Sequence, residues 1–244
     1  MASSPKGKPR PKKVAAVGFD LEPFRDLVVF DLETTGLSPQ RDEIIQIAAI
    51  RLRDGRIVEE DAFFSYVRPE RPIPPFIVSY TGVTERHVAD APLAPEVLVR
   101  FSEYCADSLL VAHNGKSFDT QFFEAACARH RLTTRETHAL DSMHLSWCLW
   151  GRAKGVSHSL DNVIARLGVP QHDIRRHDAR GDVLVTARCL QEMIARLKVS
   201  GAGLDLSLHG CLLPSLGQKT RGRTKKSAPL DLGGLPPEGQ MGPR

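Results

Sequence analysis

The first clear pattern is an apolar run, Leu27-Val28-Val29-Phe30, that ends in the acidic turn Asp31-Leu32-Glu33-Thr34-Thr35-Gly36. It predicts a buried strand over 27–32. A turn containing Gly36 and Pro39 follows, and then a second apolar run, Ile44 to Ile50, broken by Gln46. Asp54-Gly55 is a hairpin signal between this run and a third strand over 56–67. Three antiparallel strands therefore open the fold.

Pro69, Pro72, Pro74 and Pro75 interrupt the pattern, and the segment from Phe76 to Thr84 is expected to cross over with Thr81-Gly82 as its turn. Val97, Leu98, Phe101 and Tyr104 fall on one stripe of a helix over 94–107. Leu109 to Ala112 reads as a short buried strand, 119–130 as a helix, 138–141 as another short strand and 142–150 as a helix. A further helix over 158–167 stops at Gly168, before Pro170, and the last runs over 179–197. No internal repeat at a fixed period is present.

Strands that pair first and then alternate with helices imply an α/β domain with a mixed five-stranded sheet. The first strand, the most apolar, is expected at its centre. The domain is expected over residues 25–198. Residues 214–244 hold eleven Gly or Pro, so 199–244 reads as a largely disordered tail. Within it, the apolar patch Leu204 to Leu216 reads as a docking segment or as an element packed on the domain.

Composition adds compartment and charge. With 41% hydrophobic and 25% charged residues, the 244-residue chain has the profile of a soluble globular protein. No apolar run approaches the roughly 18 residues needed to cross a bilayer. The basic, Pro-rich start over 1–24 lacks the apolar core of a secretory signal. Cys105, Cys127, Cys148, Cys189 and Cys211 form no Cys-x-x-Cys pair, which fits a reducing intracellular compartment, cytoplasmic or nuclear. His144 and Cys148 have the spacing of helical zinc ligands, but no second pair accompanies them. The net charge of +4 is uneven: residues 1–13 carry five basic groups and no acid, and 214–244 carry six basic groups and two acids. The body between the tails is net acidic. Basic tails either concentrate polyanions such as nucleic acid or simply keep the chain in solution.

Three motifs carry candidate chemistry. Asp31 and Glu33 alternate to the same face of the first strand. Two buried like charges side by side call for a cation, and carboxylate oxygens suit a hard divalent metal. The second motif is His113-Asn114-Gly115-Lys116-Ser117-Phe118-Asp119. Asp119 opens a helix, where an acid also stabilises the first turn by about 0.5–2 kcal/mol. The third is His177-Asp178-Ala179-Arg180-Gly181-Asp182. Five helical residues rotate by about 500°, so His177 and Asp182 converge only if His177 lies on the loop before the helix.

These motifs, in this order, resemble the DEDDh exonucleases: the DnaQ-like proofreading and TREX-like nucleases of the ribonuclease H-like fold. The resemblance covers roughly residues 26–197, and the phrases around Asp119 and Asp182 look closest to TREX-like members. It implies that Asp31, Glu33, Asp119 and Asp182 hold two divalent cations, Mg²⁺ or Mn²⁺, and that His177 is the general base. It further implies that Thr34, Thr35, Gly36 and Leu37 line the 3′-terminal nucleotide, with Leu37 as a wedge. His113, Asn114, Phe118 and Tyr80 join them as substrate-binding candidates, although ordinary core packing also accounts for Phe118 and Tyr80. The expected reaction is 3′–5′ hydrolysis of DNA to nucleoside 5′-monophosphates. An exoribonuclease, a polymerase proofreading subunit and an inactive nucleic-acid-binding module remain alternatives. The expected partner is nucleic acid, single-stranded DNA before RNA, with a polymerase or a second copy of the chain as further partners and no membrane.

Overall fold

The computed structural model describes residues 25–172, 174, 176–200 and 208–217. The basic segments that drew attention at both ends of the sequence fall almost wholly outside these residues. One mixed sheet of six strands forms the centre, in the order β3-β2-β1-β4-β5-β6. The strands are β1 (Asp26–Thr34), β2 (Ile44–Arg53), β3 (Arg56–Tyr66), β4 (Leu109–Ala112), β5 (Thr134–Asp141) and β6 (Leu208–Pro214). The helices are α1 (Pro75–Thr81), α2 (Glu85–Val88), α3 (Ala94–Cys105), α4 (Asp119–Arg129), α5 (Ser142–Trp150), α6 (Leu160–Leu167) and α7 (Ala179–Ser200).

The first strand is central, as its apolarity requires. It pairs antiparallel with β2 and parallel with β4. Alternation along β1 sorts its side chains onto two faces. Leu27 and Val29 join a core formed with α7 residues such as Val183, Leu190 and Met193. Val28, Phe30 and Leu32 join the opposite core with Phe101 of α3 and Phe122 and Phe123 of α4. Asp31 and Glu33 continue the odd-numbered row and therefore lie on the α7 face. The pairing with β4 ends at Val29, so the last turns of β1 are open on that side. A crevice beyond the carboxyl ends of two parallel strands is where α/β sheets place their ligands.

Two expectations are corrected. The sheet has six strands, not five, and the domain does not stop at 198. Residues 208–214, assigned by composition to the tail, pair antiparallel with the open edge of β5. Cys211 and Leu213 of this strand are buried, and Ser102 Oγ of α3 donates to Pro214 O at 2.6 Å. An edge strand that would otherwise expose unpaired backbone groups is thereby covered. The crossover from Phe76 to Thr84 is helical. Pro75 stands in the first turn of α1, where its fixed φ suits the helix, and Gly82 closes it in the left-handed region at φ 74°. No helix among the described residues is long and apolar enough to cross a membrane.

Candidate active site

Asp31, Glu33 and Asp182 each present a carboxylate oxygen within 4.8 Å of the other two. Two come from the end of β1 and the third from the first turn of α7, which packs on the same sheet face. Asp119, at the start of α4, is the next acid. It is 3% exposed and accepts a hydrogen bond from the backbone of Leu32, which lies between the two β1 acids. The four acids of the three sequence motifs therefore converge.

Their mutual repulsion and burial appear as raised proton affinities. Burial, and then the charges of Asp119, Glu33 and Asp182, hold the Asp31 carboxyl well above the usual range. Burial, followed by Asp182, Asp178 and Asp119, pushes Glu33 up to about 8. Asp119 is pushed up to about 7, chiefly by burial, against the backbone hydrogen bonds that favour its charged form. Burial also raises Asp182, opposed by Arg176 and His177. Four acids that resist ionisation together form a pocket for positive charge. The donor set is carboxylate oxygen alone, which fits a hard divalent cation.

His177 lies on the turn before α7, the placement that allows it to approach Asp182. Its backbone is left-handed at φ 59°, unusual for a residue with a Cβ, and costs about 1–3 kcal/mol. The surroundings hold it there. The His177 N–H donates to Asp182 Oδ2 at 3.2 Å, and Arg176 Nε donates to Asp182 Oδ1 at 2.8 Å. Asp178 accepts from the Arg180 N–H at 3.0 Å, the geometry of a helix N-cap. The imidazole faces Tyr80 of α1, with ring centroids 4.2 Å apart. Tyr80 is 60% exposed, and its hydroxyl is raised by burial and then by the charges of Glu33 and Asp182. It thus borders the acid cluster and is not a core aromatic.

The remaining substrate-binding candidates divide. Leu37 stands 82% exposed at the tip of the turn after β1. Thr34 and Thr35 are buried, and their hydroxyls build that turn: Thr34 Oγ1 donates to Gly36 O at 2.6 Å, and Thr35 Oγ1 accepts from the Glu43 N–H at 2.9 Å. Both hydroxyls are thus engaged in the turn itself. At Gly36 a Cβ would fall 2.5 Å from Asp42 Oδ2, whose position is set by the Ser38 N–H. The His113 ring is engaged within the protein as well. Its Nε2 bonds to His158 O at 2.9 Å and its Nδ1 to Ser142 Oγ at 2.8 Å, so neither nitrogen is left for a ligand. Because a carbonyl only accepts, Nε2 carries the proton and Nδ1 accepts from the serine. Asn114 is exposed, at φ 65°, and Phe118 is half-buried against Phe122 at a centroid separation of 4.8 Å.

Three residues support the site, and two of them, Asp141 and Arg176, were not singled out by sequence. Asp141, at the end of β5, accepts from the Asn114 and Met143 N–H groups at 2.9 and 3.0 Å and from the Lys116 N–H at 3.4 Å. It fixes the loop that delivers Phe118 and Asp119. Gly115 in that loop packs so tightly that a Cβ would lie 2.6 Å from the Ala112 Cβ. Gln46, fully buried on β2 opposite Glu33, accepts from the Ala179 N–H at 2.9 Å and donates to Asp178 Oδ1 at 3.4 Å. Arg176, the third, spans Asp182 and Asp161. His144 and Cys148 belong to no cluster of three potential metal ligands among the described residues.

Comparison with known proteins agrees with this geometry. A family model described as "Exonuclease" (RNase_T) matches residues 28–190. A DNA polymerase III subunit epsilon-like protein of Rhodobacter capsulatus is 41% identical over 178 residues, 71% of this chain and 24% of that protein. A PolC-type DNA polymerase III of Caldanaerobacter subterraneus is 38% identical over 176 residues, 72% of this chain and 12% of that protein. The chain thus spans a quarter or less of the length of these curated relatives. Among solved structures, Exonuclease X in complex with 5′ overhanging duplex DNA aligns with a TM-score of 0.56 and 28% identity, over 74% of this chain and 96% of that one. Since the family model spans well over half of its residues, the chain belongs to the exonuclease family.

Proposed function

We propose that this chain is a divalent-metal-dependent 3′–5′ exonuclease that hydrolyses DNA from single-stranded or frayed 3′ ends and releases nucleoside 5′-monophosphates. The observation that carries the proposal is the convergence of Asp31, Glu33 and Asp182 within 4.8 Å, with Asp119 beside them. These four carboxylates would hold two cations, Mg²⁺ or Mn²⁺. When bound, such a pair polarises the scissile phosphate and stabilises the attacking and leaving oxygens.

The protein's own groups supply the rest. His177 accepts the proton of the attacking water through its imidazole. Tyr80 packs against that ring in a tilted contact and limits its rotation. Leu37, exposed on the turn after β1, would press against the terminal base. The turn backbone around Gly36 and the exposed Asn114 line the path of the terminal nucleotide. Phe118 supports the loop from which Asp119 projects.

DNA is favoured over RNA by the relatives, which are named as DNA polymerase III proteins, and by the DNA bound in the Exonuclease X structure. The same names favour a polymerase as partner, in a proofreading role. The acid cluster is complete within one chain, so neither a polymerase nor a second copy is required to build it. Five cysteines without a disulfide suit an intracellular enzyme.

The test is digestion of end-labelled single- and double-stranded DNA and RNA, with Mg²⁺ or with chelator, beside an Asp31→Ala control. Stepwise shortening of DNA from the 3′ end, with Mg²⁺ only and not with the control, is expected. Shortening from the 5′ end, or equal activity in chelator, would overturn the assignment.

A further inference from the structure

One guanidinium reaches into the acid cluster. Arg176 Nε donates to Asp182 Oδ1 at 2.8 Å, and its Nη2 reaches Asp161 Oδ1 on α6 at 2.9 Å. The two partners differ in setting. The Asp182 side chain is 10% exposed and that of Asp161 is 71% exposed. The Nη1 atom is buried without a hydrogen-bond partner, so the group is not optimally satisfied where it lies. Its charge also acts on Asp31, where it opposes the acids that raise that carboxyl.

A cation binding between Asp31, Glu33 and Asp182 would draw on a carboxylate that Arg176 already holds through Oδ1 at 2.8 Å. Two positive groups on the Asp182 carboxylate repel each other in a partly desolvated site. Resting on the metal reading above, we propose that Arg176 is the resident counter-ion of the metal-free site. It holds Asp182 and the His177 turn in place until the divalent cation arrives, and then swings outward on Asp161. Asp161 acts as the outer anchor, exposed enough to keep the guanidinium after it leaves Asp182. The arrangement makes metal binding and release of the turn parts of one equilibrium, in which each ligand of Asp182 weakens the other.

A merely structural ion pair and this exchange predict different signs. In the exchange, Arg176→Gln lowers the melting temperature in chelator yet binds Mg²⁺ more tightly, by about tenfold, within the usual range of coupling between linked ligands. Asp161→Asn leaves Arg176 with only Asp182 and binds Mg²⁺ more weakly than wild type. The double variant matches Arg176→Gln alone, because the outer anchor has nothing left to hold. The measurement is the full-length protein's melting temperature titrated with Mg²⁺, repeated with Mn²⁺ by calorimetry. Unchanged or weaker metal affinity in Arg176→Gln overturns the proposal, as does unchanged or tighter affinity in Asp161→Asn. Asp161 is largely solvent-exposed, so its variant reports even if Arg176→Gln folds poorly. A wild-type protein whose melting temperature ignored both cations would instead sink the metal reading itself.

Discussion

The side-chain carbonyl of Gln46 on the second strand accepts the backbone N–H of Ala179, the first residue of the last helix, at 2.9 Å. The same amide donates to Asp178 at 3.4 Å. This fully buried link ties the sheet to the turn that holds His177 in its left-handed conformation. Gln46→Ala is therefore expected to loosen the turn without touching substrate. Turnover number should fall by about ten- to a hundredfold, the scale of an ångström-sized misplacement, with KM nearly unchanged. Steady-state kinetics on a labelled oligonucleotide would check it, and a change confined to KM would contradict it.

Gln46 also marks the limit of sequence reading. It stands out as the one polar residue in the run Ile44 to Ile50, but its partners lie more than 130 positions away, and no local pattern points to them. Asp31 and Glu33 were legible because strand alternation alone puts them on one face. The need for His177 to precede the helix was legible because helical rotation forbids the alternative. β6 was legible only as one of two alternatives for the patch Leu204 to Leu216, because pairing with the open edge of β5 is a property of the edge, and Leu208 to Pro214 carries a Gly and little strand propensity. The internal hydrogen bonds of Thr34, Thr35 and His113 were not legible for a related reason. A polar side chain near a site bonds to its own turn as readily as to a ligand, and only the structure separates the two.

The metal-free protein should lose stability as pH rises. Glu33 is pushed up to about 8 and Asp119 to about 7, and Asp31 and Asp182 are raised as well. An acid that holds its proton more tightly when folded makes the native state bind more protons than the unfolded chain, so the slope of stability against pH is negative. The contribution is complete below the ordinary carboxylate range and is lost as pH climbs through about 7 to 8. In chelator, these groups should therefore lower the melting temperature between pH 6 and pH 8.5, and Mg²⁺ should restore more stability at the upper end than at the lower. A metal-induced rise that is larger at pH 6 would contradict the shared-acid origin of these shifts.

A separate prediction concerns the far end of the sheet. Arg51 on β2 is 8% exposed and bonds Asp26 at 3.0 Å, Asp61 at 2.9 Å, Ser108 Oγ at 2.7 Å and Tyr104 O at 2.7 Å. Its acidic partners reach solvent, so the main loss in Arg51→Met is the buried bond to Ser108 and the partly buried one to Tyr104. About 2 kcal/mol of destabilisation is expected, a fall of about 4–8 °C in Tm for a domain of this size. Activity at 25 °C should stay near wild type because the network lies at the opposite end of β1 from the acids. Differential scanning calorimetry beside a rate assay would check both halves, and a large loss of rate with little change in Tm would contradict them.

The contact between Tyr80 and His177 allows the base to be tested apart from the acids. His177→Ala removes the proton acceptor but leaves all four carboxylates, so turnover number should drop by about 10²–10⁴-fold while DNA binding survives. Tyr80 acts on the same ring through a tilted contact at 4.2 Å, and such a contact needs an aromatic ring, not a hydroxyl. Tyr80→Phe should accordingly keep most of the rate, whereas Tyr80→Ala should lower it, and the two alanine losses should not add because one group acts through the other. Single-turnover rates of the two single variants and the double variant, with binding measured by anisotropy in Ca²⁺, would decide it. Near-wild-type turnover in His177→Ala would remove the imidazole from the reaction, and strictly multiplicative losses would uncouple Tyr80 from it.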